Sequence, residues 1–150
     1  MARELLPGLY GYRDLEVGDW FETGEAIVDA AKIDAFAEVS GDFYEIHMDA
    51  AFARNLGYRD RVAHGLLILS TTDGLKNQAD AKLRGIVSLG WDWSFDGPVI
   101  IGDTIRVRVE VAAMRLTSKG DRGIVNLGFT VTNQDGEKVQ SGTNTLLTAL

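Results

Sequence analysis

The chain contains no cysteine, which excludes disulfide staples, thiolate nucleophiles and cysteine-ligated zinc, and is compatible with a reducing compartment. Positive charge is scarce as well. Fifteen Lys and Arg stand against 22 Asp and Glu, for a formal net charge of -7. The basic residues are scattered, whereas nucleic acid phosphates are bound by clustered Lys and Arg, so no nucleic acid partner is expected. Long hydrophobic runs are also missing, and no segment could span a bilayer. The opening Met1-Ala-Arg-Glu-Leu-Leu-Pro-Gly8 lacks the uninterrupted apolar stretch of a signal peptide. A cytoplasmic protein without a membrane partner is the resulting expectation.

What remains is an ordinary globular composition, 45% hydrophobic and 25% charged over 150 residues, enough for one domain over residues 1–150 with a useful core. Its first half reads as helical and its second half as stranded, which favours an α+β architecture over alternating parallel units. Residues 1–19 read as an extended lead-in and 20–28 as a first strand, ending where Asp29 can cap a helix. Ile33, Phe36, Ala37 and Val39 then recur at near-helical spacing before Ser40-Gly41, so Asp42 falls in a loop just past a helix. A short helix is expected from Asp49 or Ala50 to Leu56, with His47 just before it. Residues 64–78 begin with the apolar run Leu66-Leu67-Ile68-Leu69, as expected of a helix buried on most sides.

Three later runs alternate with period two, the signature of a half-buried antiparallel sheet. They carry Val87, Leu89, Trp91, Trp93 and Phe95, then Ile105, Val107, Val109 and Val111, then Val125, Leu127, Phe129 and Val131. A weaker last strand follows over 137–150. Turn chemistry at 118–122 and 133–136 predicts hairpins between consecutive strands. Long antiparallel strands with one apolar face, beside a single buried helix, pack by curling the sheet around that helix: a single hot-dog domain with an antiparallel sheet curled around a long central helix. Such a sheet leaves an edge rich in Val and Thr, so a homodimer or higher homo-oligomer is expected.

The residues able to do chemistry cluster within one short span. Asp42 and His47 flank a loop walled by Phe43, Tyr44, Ile46 and Met48. Histidine transfers protons near neutral pH, and a neighbouring carboxylate can hold its tautomer or share a water with it. Gly65 opens the apolar helix. The first amides of a helix lack internal partners and carry the positive end of its dipole, so Gly65 N–H could polarise a thioester carbonyl, and the missing side chain permits close approach. His64 reads as a residue that pins the loop. A metal set drawn from Asp42, His47, Asp49 and His64 competes with this reading, but first-row metals prefer convergent nitrogen-rich sets and the chain has two histidines. No metal is expected. Nucleophilic hydrolysis lacks its parts, with no cysteine and no Gly-x-Ser-x-Gly turn.

The stretch Ser40-Gly-Asp-Phe-Tyr-Glu-Ile-His47, followed by Arg61-Val-Ala-His-Gly65 and its apolar helix, resembles the hydratase signature of MaoC-like dehydratases and (R)-specific enoyl-CoA hydratases. The resemblance covers residues 40–74, and the strands agree in general pattern. It implies that Asp42 and His47 are the catalytic pair, that Gly65 N–H is the oxyanion donor, and that the fold is a hot dog with its acyl tunnel near a dimer interface. The implied activity is reversible hydration of a 2-enoyl-CoA, or dehydration of the 3-hydroxyacyl-CoA, with coenzyme A as part of the substrate and no separate cofactor.

Two departures stand out. Tyr44-Glu45 replaces an Asn-Pro pair common in the family, and Asp73 falls where some hydratases place a serine. These three are candidate substrate contacts, Tyr44 and Glu45 narrowing or polarising the acyl pocket toward short, branched or carboxylated groups, and Asp73 either joining them or forming a salt bridge on its own helix. Arg59, Arg61, Lys82 and Arg84 are candidates for the phosphates of coenzyme A. An acyl-CoA thioesterase and a non-catalytic acyl-thioester binding protein are the alternatives that share the fold.

Overall fold

The computed structural model describes residues 2–150. In chain order the elements are β1 (Gly8–Tyr10), β2 (Trp20–Glu22), β3 (Ala26–Ile27), α1 (Ala30–Ser40), α2 (Glu45–Met48), α3 (Ala50–Asn55), α4 (Gly65–Gln78), β4 (Ala81–Leu83), β5 (Gly85–Phe95), β6 (Thr104–Leu116), β7 (Gly123–Thr132) and β8 (Lys138–Thr148). The main sheet runs β2-β6-β7-β8-β5, with β3 continuing beside β6, and every pairing in it is antiparallel. The lead-in contributes β1, which pairs in parallel with β4.

The sheet's inner face and α4 make the core. Ile105, Val107, Val109 and Val111 of β6 and Val125, Leu127, Phe129 and Val131 of β7 are buried in strict alternation. They pack in one cluster with Leu67, Ile68 and Leu75 of α4. The molecule is therefore a hot-dog domain, an α+β fold in which the antiparallel sheet packs against the central helix.

Four local expectations need correction. The first strand is broken in two because the Thr23 hydroxyl accepts the Val107 amide at 3.1 Å and interrupts the regular ladder. The hairpins β6–β7 and β7–β8 form as the turns require, but β5 pairs with β8 and not with β6. Nor does β5 bury one apolar face. Register shifts between Gly85 and Val87 and between Ser88 and Gly90 break its alternation, and at the sheet's edge Ile86, Val87, Leu89 and Phe95 stay exposed. Trp91 and Trp93 alone of its alternating apolar set turn inward, against Phe129. Likewise α4 buries one side only, since Leu66 is exposed.

Candidate active site

The loop after α1 is built to hold Asp42. Asp29 caps the start of α1, accepting the Lys32 amide, and Gly41 ends it in the left-handed conformation at φ 76°, a backbone state that costs a glycine little. The Ser40 hydroxyl bonds back to Phe36 O and accepts the Asp42 amide. Asp42 Oδ1 then accepts the Tyr44 amide at 3.1 Å, and the second carboxylate oxygen is left facing His47.

His47 sits in a helix of its own, the four residues of α2, rather than ahead of the next one. Its Nδ1 lies 2.7 Å from Val62 O. A carbonyl can only accept, so Nδ1 carries the proton and Nε2 keeps a free lone pair. Nε2 lies 3.8 Å from Asp42 Oδ2, a gap that one water donating an O–H to each atom can bridge. The segment is braced from behind by Val62 N–H on Ile46 O and by Arg61 Nε on His47 O. Burial lowers the His47 pKa below its ordinary 6.5; proximity to His64 and Arg61 pushes the same way, while the Val62 bond and Asp42 oppose it. The shift favours the neutral imidazole.

His64 is buried, and it stacks on His47 with ring centroids 3.9 Å apart. Its Nε2–H donates to Asp42 O at 2.8 Å, so His64 ties the Asp42 loop to the start of α4, as a pinning residue should. Asp42, His47 and His64 each offer a ligand atom within 4.8 Å of the others. Two rings stacked at 25° nevertheless send their lone pairs out in nearly parallel planes, and an ion bound by two histidines needs them to converge at about 2 Å.

Gly65 is the first residue of α4, with no side chain capping that end, so its amide has no intrahelical acceptor. A Cβ at this position would lie 2.5 Å from Phe95 Cε2. Any larger residue here must displace the Phe95 ring or the helix start. Asp42, His47, His64 and Gly65 line one cavity of about 580 Å³, together with Ile46, Tyr58, Val62, Ile68, Phe95, Pro98 and Gln140 among others. Tyr58, Phe95, Pro98 and Gln140 were not singled out by sequence reading, because they come from separated segments that only the fold brings together.

The other candidates are not among the residues that line this cavity. Tyr44 is exposed and packs edge-on against His47 and Phe52, with centroids 6.2 and 6.1 Å away. Glu45 is exposed on the first turn of α2. Asp73 pairs with Lys76 at 3.0 Å and borders a separate pocket with Ser88 and Leu146. Arg59 and Arg61 are engaged by Asp103 and Asp34, and Lys82 by Asn77 O. Among the described residues, no Lys or Arg lines the cavity.

Residues 16–133 match the family described as the MaoC like domain. The chain belongs to this family. As a MaoC-like protein it is 35% identical, over 113 residues, to an (R)-specific enoyl-CoA hydratase of Aeromonas caviae, a match covering 75% of this chain and 81% of the relative. It is 33% identical over 106 residues to a 3-hydroxybutyryl-CoA dehydratase of Methylorubrum extorquens, covering 69% of this chain and 64% of that one. The solved structure of a MaoC-like dehydratase from Rhodospirillum rubrum superposes with a TM-score of 0.83 at 31% identity, over 93% of this chain and 97% of its own. Among the described residues of this MaoC-like chain, no helix is long and apolar enough to cross a membrane.

Proposed function

We propose that this MaoC-like protein catalyses reversible hydration of a 2-enoyl-CoA to the 3-hydroxyacyl-CoA. The observation that carries the reading is the 3.8 Å gap between His47 Nε2 and Asp42 Oδ2, in a cavity that Gly65, the first residue of α4, also lines. Relatives that are an (R)-specific enoyl-CoA hydratase and a 3-hydroxybutyryl-CoA dehydratase support the same chemistry.

The water sits between the two side chains with one O–H toward each. As its oxygen bonds to the β-carbon, one proton passes to the His47 lone pair, the C=C π electrons move toward the thioester, and charge accumulates on the carbonyl oxygen. Gly65 N–H donates to that oxygen, an interaction of roughly 3 kcal/mol for one well-aimed donor. His47 then returns the proton to the α-carbon. Asp42 holds the second O–H throughout, and its charge favours the imidazolium that forms briefly beside it. The pathway uses no metal and no redox cofactor.

A homodimer completes the proposal. The outer edge of β5, with Ile86, Val87 and Leu89 exposed, is an apolar sheet edge that a second copy would cover. Phe95 at its end lies against Gly65 and in the cavity wall, so pairing there would also shape the site. Following alkene absorbance and free thiol for a panel of 2-enoyl-CoAs tests the function. Loss of the conjugated alkene without thiol release is expected; thiol release would mark a thioesterase, and no change in either would mark a binding protein.

A further inference from the structure

Beneath the start of α4, β8 presents a buried primary amide that the reaction scheme does not use. Gln140 is 2% exposed, and a buried amide is costly unless its polar atoms are paired. Here both ends are. Its Oε1 accepts the Trp93 indole N–H at 2.8 Å, and its Nε2 donates to Gly65 O at 3.0 Å. The indole can only donate, so Trp93 fixes which end of the amide is the oxygen and directs the NH2 group at Gly65. Trp93 is itself set against Trp91 and Phe129, with centroids 5.5 and 5.8 Å away. A continuous line of packed groups therefore runs from the aromatic cluster under the sheet to the first residue of α4.

Gly65 needs such a hold. It has no side chain to fix its backbone torsions, and His64 supplies no side-chain cap to the helix end. We propose that Gln140 is a positioning residue: by clamping the Gly65 carbonyl it keeps the Gly65 N–H aimed at the thioester oxygen. The proposal rests on the hydratase reading for its catalytic consequence, while the clamp itself is independent of that reading.

Three variants separate positioning from simple core stability. Gln140→Met keeps length and removes both hydrogen bonds, Gln140→Glu keeps the acceptor for Trp93 but loses the donor to Gly65, and Trp93→Phe leaves Gln140 in place without its anchor. In folded protein each should lower kcat for 2-enoyl-CoA hydration about tenfold, the scale of a small misplacement in a catalytic group. KM and the pH profile of kcat/KM should stay at their wild-type values, because Asp42 and His47 are untouched.

A purely structural role would lower Tm and leave kcat intact, and that outcome overturns the catalytic part. Amide 15N relaxation of Gly65 tests the clamp without any substrate. Exchange broadening in Gln140→Met and Trp93→Phe, against a rigid amide in the wild type, is expected. Equal relaxation in all three overturns the clamp, and wild-type protein inert toward every enoyl-CoA would refute the hydratase reading while leaving this measurement decisive.

Discussion

Asp42 Oδ2 and His47 Nε2 face one another across 3.8 Å because each residue has its other polar atom tied to backbone. Asp42 Oδ1 is held by the Tyr44 amide and His47 Nδ1 by Val62 O. The pairs of bonds leave one carboxylate oxygen and one imidazole lone pair free, aimed at the same small volume. His64 adds a third constraint, bonding Asp42 O while stacking on His47. A loop and a four-residue helix thereby hold a geometry that neither could hold alone.

The His47 lone pair must be unprotonated to accept a proton from water. Since burial, the largest influence, lowers its pKa below 6.5, kcat/KM for hydration should be level across neutral pH and fall on the acid side with a midpoint below 6.5. The same shift affects stability. The unfolded chain takes up this proton at a higher pH than the folded one, so His47 should reduce unfolding free energy as pH falls through 6.5 toward the lower folded value. A kinetic midpoint above 6.5, lost in His47→Gln, would contradict the assignment.

Gly65→Ala places a methyl group against the Phe95 ring, moving either the ring or the helix start. Hydration turnover should fall about 100-fold if the amide shifts by as much as 1 Å. Partial recovery in the Gly65→Ala, Phe95→Ala double variant would identify the ring contact as the cause. Unchanged turnover in Gly65→Ala would show that the Phe95 ring gives way and the helix start stays where it is.

Tyr44, Glu45 and Asp73 lie off the cavity wall, whereas Tyr58 is on it. Tyr44→Phe, Glu45→Gln and Asp73→Asn should therefore leave the ratio of kcat/KM for straight and methyl-branched enoyl-CoAs unchanged. Tyr58→Ala should change that ratio about tenfold, as gains of pocket volume do. The opposite pattern would restore the sequence-based assignment.

The edge of β5 yields a test by hydrodynamics. Leu89, 54% exposed, replaced by Lys should shift a dimeric wild type toward monomer in sedimentation velocity, because a buried unpaired charge opposes strand pairing. A wild type that sediments as a monomer at all concentrations would refute the dimer.

Much of the scaffold was legible because it is written in local signals. Asp29 and Gly41 bound α1 through capping chemistry, and the alternation survives over Ile105–Val111 of β6 and Val125–Val131 of β7 because these interior segments bury one face against the core. In β5 the same alternation misled, since two bulges and an edge position undo what period two implies. The site was legible where its residues are close in sequence, at Asp42, His47 and Gly65. It was silent where partners are distant: Gln140 lies 47 residues from Trp93 and 75 from Gly65, and nothing in a local window marks such a glutamine. Tyr44 and Glu45, next to His47 in sequence, are exposed at the start of α2, with the Tyr44 ring 6.2 Å from that of His47.

The most direct test of the shared water is isotopic. Wild-type protein, Asp42→Asn and His47→Gln would each be incubated with a short trans-2-enoyl-CoA in 18O-labelled water, and the products analysed by mass spectrometry. Addition of a water shared by Asp42 and His47 predicts 18O at C3 of a 3-hydroxyacyl-CoA with the thioester intact, formed about 100-fold or more slowly by either variant. Label in a free carboxylate, or wild-type rates of C3 labelling in both folded variants, would contradict it.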